Sequence, residues 1–277
     1  MSIAPVLRLS TLRVAYSGRR VLDLDDLMLD ADGAAAGFLL GANGAGKTTL
    51  LNAVSGYATT DGRVFLDADG TSIRIDRRRP HAVLRAGVAR TFQHPSASST
   101  LTAWEALALA SAASAGSLWS PLRFSVRPAA AAFFTALGLS EVRDVPLHTL
   151  PVEWVRRVEL ARVLTSEPGV LLLDEPTAGA NDAERAVLTA FFTDTLPTLV
   201  AELRARDAYR FPACGVWMIT HDIPFAQAVS AAGGVRSPAL VLEAGKVLRE
   251  GLLEDVLRDP QVVDAWVGGL DGHAVGL

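Results

Sequence analysis

The sequence contains a single cysteine, Cys214, so no disulfide bond can form within the chain and a reducing compartment is the simplest setting. It has no strong excess of charge: a net charge of −4 and a pI near 5.7 predict no general attraction to nucleic acid or anionic lipid. It also lacks a cationic leader followed by an apolar segment, and any run of about 18 consecutive apolar residues. We therefore expect a cytoplasmic protein that meets a membrane only through partners.

The composition is that of a globular protein, with 50% hydrophobic, 20% charged and 6% aromatic residues. Short apolar runs alternate with helical segments, which is typical of a largely parallel sheet covered by helices. Four such runs place polar residues at their carboxyl ends: AAGFLLG (35–41), VARTFQ (88–93), VLLLDEP (170–176) and GVWMITHD (215–222). Ligands gather at that edge of a parallel sheet.

Three other parts of the chain interrupt this pattern. Runs near the amino terminus, with Asp-Gly turn signals, predict antiparallel β-structure. From about Thr102 to Leu150 the strand signals stop, and alanine-rich segments predict an inserted helical region. After a hairpin around Gly245, the chain closes with a helical segment broken at Pro260. The expected fold class is α/β.

The strongest chemical signal is GANGAGKTTL (41–50), which follows an apolar strand and continues as a helix. Its glycines let backbone N–H groups turn toward phosphate oxygens, and the helix amino terminus adds partial positive charge. Lys47 would reach the β- and γ-phosphates, and Thr48 would hold Mg²⁺. The predicted ATP-binding residues in this loop are Gly41, Asn43, Gly44, Gly46, Lys47, Thr48 and Thr49.

Acidic residues end the apolar run at 170–176. Asp174 is placed to take a water bound to Mg²⁺, and Glu175 to orient and deprotonate the water that attacks the γ-phosphate. His221 ends another buried strand and could touch the γ-phosphate, although a lone histidine there is usually just a satisfied polar group.

The segments GANGAGKTT, ARTFQ, LLLDEPTAG and ITHD, in this order and at these separations, resemble the nucleotide-binding subunit of an ATP-binding cassette (ABC) transporter. The likeness runs from about Leu7 to Gly268. It implies that Gln93 contributes to catalysis and to the Mg²⁺ site and joins the nucleotide site to the helical region, and that His221 is a catalytic switch residue. It also implies that Tyr16 stacks on adenine, although core packing of this strand residue is an equal alternative.

The resemblance also implies a P-loop NTPase fold and its division. A single ABC ATPase domain would span 1–277, with a helical subdomain at about 94–165, a RecA-like core with a β subdomain formed by 1–93 and 166–250, and a helical end at 251–277. RRRPHAVLRAGVARTFQH, TAGAND and DPQVVDAWVGG are similar to the branched-chain amino-acid and urea importer branch. The implied partners are a second ATPase subunit and membrane-spanning permease subunits, with this chain peripheral at the inner face of the membrane.

One motif departs from the family. A leucine-serine-x-glycine signature normally binds the γ-phosphate of the opposite subunit's ATP, whereas this chain has Leu150, Pro151, Val152 and Glu153. Pro151 has neither hydroxyl nor N–H, and Glu153 places a carboxylate where glycine would let phosphate approach. At ~4 Å and an effective dielectric of ~20, carboxylate and phosphate repel by roughly 4 kcal/mol per charge pair, unless Glu153 rotates away. We expect a weak or inactive signature.

A homodimer would then have two impaired sites, whereas a heterodimer with an intact partner signature would keep one competent site. The family's importer branch commonly pairs two different ATPases, which favours the heterodimer. Two alternatives stay open: a regulatory subunit that barely hydrolyses ATP, and an ABC ATPase without a membrane partner. A second departure is the long connection AELRARDAYRFPACG (201–215), which we expect to be a surface extension.

Overall fold

The computed structural model describes residues 4–30, 36–92, 100–114, 126–232 and 237–267. The strands in these ranges are β1 (Val6–Tyr16), β2 (Arg19–Leu24), β3 (Leu27–Leu29), β4 (Gly37–Leu40), β5 (Asp61–Ala68), β6 (Thr71–Arg74), β7 (Val88–Arg90), β8 (Val170–Asp174), β9 (Gly215–Ile219), β10 (Pro238–Glu243) and β11 (Lys246–Leu252). The α-helices are α1 (Lys47–Val54), α2 (Pro80–Ala86), α3 (Ala103–Ser114), α4 (Pro128–Ala136), α5 (Val152–Leu164), α6 (Asp182–Ala190), α7 (Leu196–Ala205), α8 (Ile223–Ala232), α9 (Leu253–Leu257) and α10 (Pro260–Val267).

The amino-terminal sheet is antiparallel, as predicted, with strand order β2-β1-β5-β6 and β3 also paired to β1. Along β1 the buried positions shift phase, from Leu7 and Leu9 to Leu12 and Val14. A bulge at Thr11, with φ 53°, inserts the extra residue that causes the shift. The apolar residues on both sides of the bulge therefore reach the same core.

The second sheet has the order β11-β10-β4-β9-β8-β7. Its strands are parallel except for β11, which pairs antiparallel with β10. All residues of β4, β8 and β9 are buried, which explains their nearly continuous apolar sequences. The carboxyl ends of these three strands meet at one edge, and the predicted phosphate loop, Asp174 and His221 lie there.

Helices α3, α4 and α5 pack on one another in the region predicted to be helical. Short 3-10 helices at Leu139–Val142 and Leu147–Thr149 complete this region. Trp104 on α3 packs edge-to-face on Phe134 of α4, with ring centroids 5.2 Å apart. The helical insertion is thus observed, and the numerical division of the chain into subdomains stays a prediction.

Helix α6, a π-helical turn at Phe191–Thr195 and α7 form one continuous helical run, 182–205. Among the described residues it is the one run long and apolar enough to cross a membrane, judged by length and composition only. That criterion is weak evidence here, because polar contacts tie the run to the rest of the domain. Glu184 is ion-paired with Arg157 of α5, and Arg185 with Asp222 at 2.6 Å.

The prediction that the long connection (201–215) is a surface extension is wrong for its second half, whereas most of 201–207 is exposed. Tyr209 and Phe211 are only 2% and 4% exposed. The Tyr209 hydroxyl donates to the Pro168 carbonyl at 2.7 Å. The Phe211 ring occupies the space beside Gly87 and Gly169, where a Cβ atom would come within 2.3 Å and 3.0 Å of it. The extra residues fill part of the core beside β7 and β8, where their apolar surface is removed from water.

Candidate nucleotide-binding site

The loop between β4 and α1 requires glycine at two positions. Gly41 has φ 135°, and a Cβ atom there would lie 2.2 Å from the Leu242 carbonyl oxygen. Gly46 has φ 105°, and its Cβ atom would lie 2.7 Å from Leu22. Both values of φ belong to the region that side chains rarely adopt. The GxxxxGK pattern therefore reports a backbone shape that other residues cannot form at these two positions.

Helix α1 begins at the end of this loop with its amino terminus unobstructed. Gly46 is the N-cap, no side chain caps the helix, and its first turn has no acidic residue. The first N–H groups of a helix have no partner inside it, and the helix dipole adds positive charge there. Asn43, Gly44 and Thr48 are exposed around this end, and Thr49 is half-buried. The predicted phosphate-binding residues thus surround an exposed helix amino terminus, which is the setting that an anion site needs.

Lys47 is buried and donates to two carbonyls of its own loop, Gly41 at 2.6 Å and Ala42 at 3.0 Å. Burial lowers the pKa of Lys47, and the charges of Glu175 and Asp174 oppose that shift. The lysine and both predicted acidic residues therefore act on one another electrostatically, as a shared phosphate site requires.

Asp174 ends β8 in a buried ion pair that the sequence analysis missed. Its Oδ2 atom accepts from Nη2 of Arg90 at 3.0 Å, and the two side chains are 4% and 3% exposed. Burial raises the pKa of the Asp174 carboxyl, and the Arg90 guanidinium opposes that shift. The sequence does contain a signal for this pair: Arg90 is a charged residue in an apolar run, and a buried charge needs a partner.

Glu175 and His221 lie together beyond the ends of β8 and β9. The Nε2 atom of His221 is 3.8 Å from Oε1 of Glu175. Glu175 has φ 51°, a strained backbone conformation for a residue with a side chain, and its N–H donates to the Ile219 carbonyl at 2.9 Å. Burial and then the charge of Lys47 lower the pKa of His221, while Glu175 opposes the shift. The arrangement can present a carboxylate and a neutral imidazole to a bound phosphate.

The two remaining predicted site residues are Tyr16 and Gln93. Tyr16, at the end of β1, is 46% exposed, so the alternative that it packs in the core is wrong. An exposed ring is available for stacking on a base, and that role stays a prediction. Gln93 lies outside the described residues.

Comparison with known proteins assigns the family. The family model named ABC transporter matches residues 24–178 of this chain. The high-affinity branched-chain amino acid transport ATP-binding protein BraF of Pseudomonas aeruginosa is 31% identical over 275 residues, which cover 95% of this chain and 98% of that protein. This chain belongs to the ABC transporter family. It is an ABC-type ATPase and the ATP-binding subunit of a transporter.

Other ABC proteins match over most of their length. LivG of Escherichia coli strain K12, also named for branched-chain amino acid transport, is 28% identical over 274 residues (95% of this chain, 98% of that protein). The zinc import ATP-binding protein ZnuC of Halorhodospira halophila is 30% identical over 258 residues (93% and 81%). An ATP-binding cassette in its ADP conformation superimposes with a TM-score of 0.71 at 22% identity (97% and 99%). That last likeness supports the ABC ATPase fold alone.

The predicted signature residues lead into α5, whose first turn differs from that of α1. Pro151 is the N-cap without a side-chain hydrogen bond, and Glu153 is the acidic residue of the first turn. Leu150 and Glu153 are half-buried, whereas Val152 is 49% exposed. The pKa of Arg157 is raised chiefly by its hydrogen bond to Glu184, and the Glu153 charge adds to the shift. Glu153 is therefore within electrostatic reach of Arg157, one turn along the helix.

Asn181, in the TAGAND segment that follows Glu175, is the N-cap of α6. Its Oδ1 atom accepts from the Glu184 N–H at 2.9 Å. Glu184 in turn pairs with Arg157 of α5. The segment that follows Glu175 is thereby attached to the signature helix.

Proposed function

We propose that this chain is the ATP-binding and hydrolysing subunit of an importer for branched-chain amino acids, urea or a related small polar solute. The observation that carries the ATP-binding part of the proposal is the loop geometry: Gly41 and Gly46 adopt positive φ, with Lys47 beside them at the open amino terminus of α1. The names of BraF and LivG, which match over nearly their whole length, favour this class of cargo. The similar identity to a zinc import protein means that the cargo needs a separate test.

In this proposal each residue of the site has one task. The loop N–H groups and Lys47 bind the phosphates, and Tyr16 stacks on adenine. Glu175 orients and deprotonates the attacking water, and His221 contacts the γ-phosphate. The strained backbone of Glu175 supports its assignment, because strain concentrates at functional positions.

Mg²⁺ fits the donor set at this site. Mg²⁺ prefers oxygen ligands and is usually held by one or two carboxylates, waters and substrate phosphates. The Thr48 hydroxyl and the Asp174 carboxylate supply such oxygens, and Gln93 would add its side-chain oxygen. Bound there, the ion would neutralise charge on the β- and γ-phosphates. Within the described ranges we find no cluster of three or more His, Cys, Asp or Glu side chains that could hold a metal alone.

We further propose that the subunit works in an asymmetric pair, with a second ATPase whose signature is intact. The start of α5 supports this, because Pro151 offers no donor and Glu153 adds negative charge where the partner's γ-phosphate would approach. The nearby Arg157 reduces the repulsion without restoring a donor. A low-turnover regulatory subunit is the second candidate, and the same two residues favour it.

The membrane partners would be permease subunits bound near Gln93, which would keep this chain cytoplasmic and peripheral at the inner face of the membrane. Tyr57 and Phe92 support this location. Their rings pack edge-to-face at 5.2 Å although they are 56% and 50% exposed. Exposed apolar clusters of this kind are typical of interaction surfaces.

Purification of a tagged chain from its native cells, followed by identification of the co-purifying membrane subunits, tests the proposal. We expect a second ATPase and membrane-spanning permease subunits, and ATP-dependent uptake of an amino acid or urea after reconstitution in vesicles. Turnover that is low alone and rises in this assembly favours the motor over the regulatory subunit. Co-purification with ribosomes or DNA-repair proteins instead would refute the transport role.

A further inference from the structure

Arg90 is a buried charge that no part of the proposed ATP chemistry uses. It ends β7, and its guanidinium group reaches two other elements. Nη2 donates to Asp174 Oδ2 at 3.0 Å on β8. Nη1 donates to Asn52 Oδ1 at 2.5 Å on α1, and to Ser55 Oγ at 3.4 Å at the end of that helix. One planar group therefore joins the strand that carries the acidic residue to the helix that carries the phosphate loop.

These contacts constrain the position of the Asp174 carboxylate, the proposed metal ligand. Arg90 contacts only one oxygen of the Asp174 carboxylate, Oδ2, in the part of the chain that the structure describes. The carboxylate is buried, so few waters can compete for this contact. A guanidinium fork has fixed geometry, so binding Asn52 and Asp174 together sets the distance between α1 and the carboxylate. Thr48 and Lys47 are in the first turn of the same helix.

We propose that Arg90 is a positioning residue for Mg²⁺: it orients the Asp174 carboxylate and holds it at a fixed distance from the α1 hydroxyl of Thr48. This inference rests on the proposed nucleotide and metal site. Arg90 acts through Asp174 and has no contact with the ion itself. Groups that orient metal ligands in this way commonly change metal affinity by about 10–100-fold when they are mutated.

The alternative is that the ion pair only stabilises the fold, because removing one partner of a buried pair is destabilising wherever the pair lies. Arg90→Lys would keep the charge but lose the fork, and Arg90→Gln would lose the charge. Asn52→Ala would remove the arm to α1 and leave the contact with Asp174. The three variants together separate charge, geometry and folding.

The experiment measures melting temperature during a Mg²⁺ titration at a fixed concentration of a non-hydrolysable ATP analogue. For Arg90→Lys and Arg90→Gln we expect the Mg²⁺ concentration at half-maximal stabilisation to rise about tenfold or more. Stabilisation by the analogue with EDTA should be retained, because the phosphate loop is unchanged. For Asn52→Ala, which keeps Arg90 and can be tested even if the other two fail to fold, we expect a smaller rise in the same direction.

Arg127→Lys is the control for the same substitution in another ion pair: Arg127, 33% exposed, pairs with Glu167, and neither residue belongs to the phosphate loop, α1, β7 or β8. It should lower the melting temperature without moving the Mg²⁺ midpoint. If the folded variants of Arg90 and Asn52 keep the parent midpoint, the positioning role is refuted. If the parent chain shows no Mg²⁺-dependent stabilisation, the proposed metal site itself fails, which is a distinguishable result.

Discussion

The first turns of α1 and α5 are two versions of the same structural element with opposite chemistry. Both are helix amino termini without a side-chain cap, so both have unpaired N–H groups and a positive dipole end. At α1 glycine precedes the helix and no acidic residue lies in the first turn. At α5 proline precedes the helix and Glu153 occupies the first turn.

This difference indicates that a helix dipole alone does not make an anion site. The residues around the first turn decide whether phosphate can approach, because they set the number of free donors and the local charge. The first turn of α1 has no acidic residue and follows glycine, whereas at α5 Pro151 lacks an N–H and Glu153 adds negative charge beside the remaining donors. One chain thus combines an open and an obstructed helix end, and four experiments test the contrast.

The largest expected effect lies on the open side. Glu175→Gln keeps the shape of the side chain and removes the proposed base, so turnover in the assembled complex should fall about 100-fold or more. A steady-state phosphate-release assay measures this. ATP should still raise the melting temperature of the variant, which serves as the binding control. Unchanged turnover would mean that another group is the base or that hydrolysis at this site does not contribute.

Loss of binding is the next effect. At an ATP concentration 100 times the dissociation constant, binding should stabilise the parent chain by about 2.7 kcal/mol, and Lys47→Ala should remove most of that gain. Thermal unfolding with and without Mg-ATP measures the change. Lys246→Ala is the matched control, because Lys246 is exposed and lies outside the loop. Equal stabilisation of parent and Lys47→Ala would contradict the assignment of the phosphate loop.

Opening the obstructed end of α5 should raise turnover by at least about tenfold. Pro151→Ser together with Glu153→Gly returns a hydroxyl, a backbone donor and a neutral approach, and a hydrogen bond to a charged group contributes about 1.5–3 kcal/mol. The turnover of the chain alone should therefore rise in an ATPase assay. The two changes are combined because neighbouring residues need not act additively.

Adding Lys47→Ala to this repaired chain should abolish the gain. A parent chain that dimerises with ATP and turns over as fast as the repaired chain would disprove the obstructed signature.

The smallest effect concerns stability. Glu153 complements the dipole of α5, so Glu153→Gln should lower the free energy of unfolding by about 0.3–1 kcal/mol. Urea denaturation at low salt measures this, and the difference should shrink at high salt, where the charge is screened. If Glu153→Gln is more stable than the parent, the Glu153 carboxylate is unfavourable in the free chain. Its interaction with the dipole of α5 would then not explain why a glutamate lies in this turn.

The parts of the structure that the sequence predicts well are those that depend on local geometry. Gly41 and Gly46 are dictated by φ values and by close backbone contacts, and their spacing makes the loop recognisable. Asp174 follows a buried strand, so its place at the sheet edge can be predicted from periodicity. The bulge at Thr11 was not predicted, because one inserted residue leaves a similar apolar pattern on either side.

The features that could not be predicted depend on contacts between distant segments. The partner of Arg90 is 84 positions away, and its second arm reaches α1, so the fork becomes visible only in three dimensions. The packing of the long connection (201–215) also depends on distant contacts, and its many polar residues led to the prediction of a surface location. Tyr209 and Phe211 carry its packing, and two aromatic residues in such a segment do not reveal which cavity they fill.

That connection has an evolutionary consequence. Loops between helices and strands usually gain and lose residues with little penalty, because water can replace whatever they contact. Here the extra residues supply Phe211 to a space bordered by Gly87 and Gly169, so a deletion would leave a void inside the protein. Shortening the chain would then require compensating changes at Gly87 and Gly169, which directly precede β7 and β8. The packing of Phe211 therefore opposes loss of this segment during evolution.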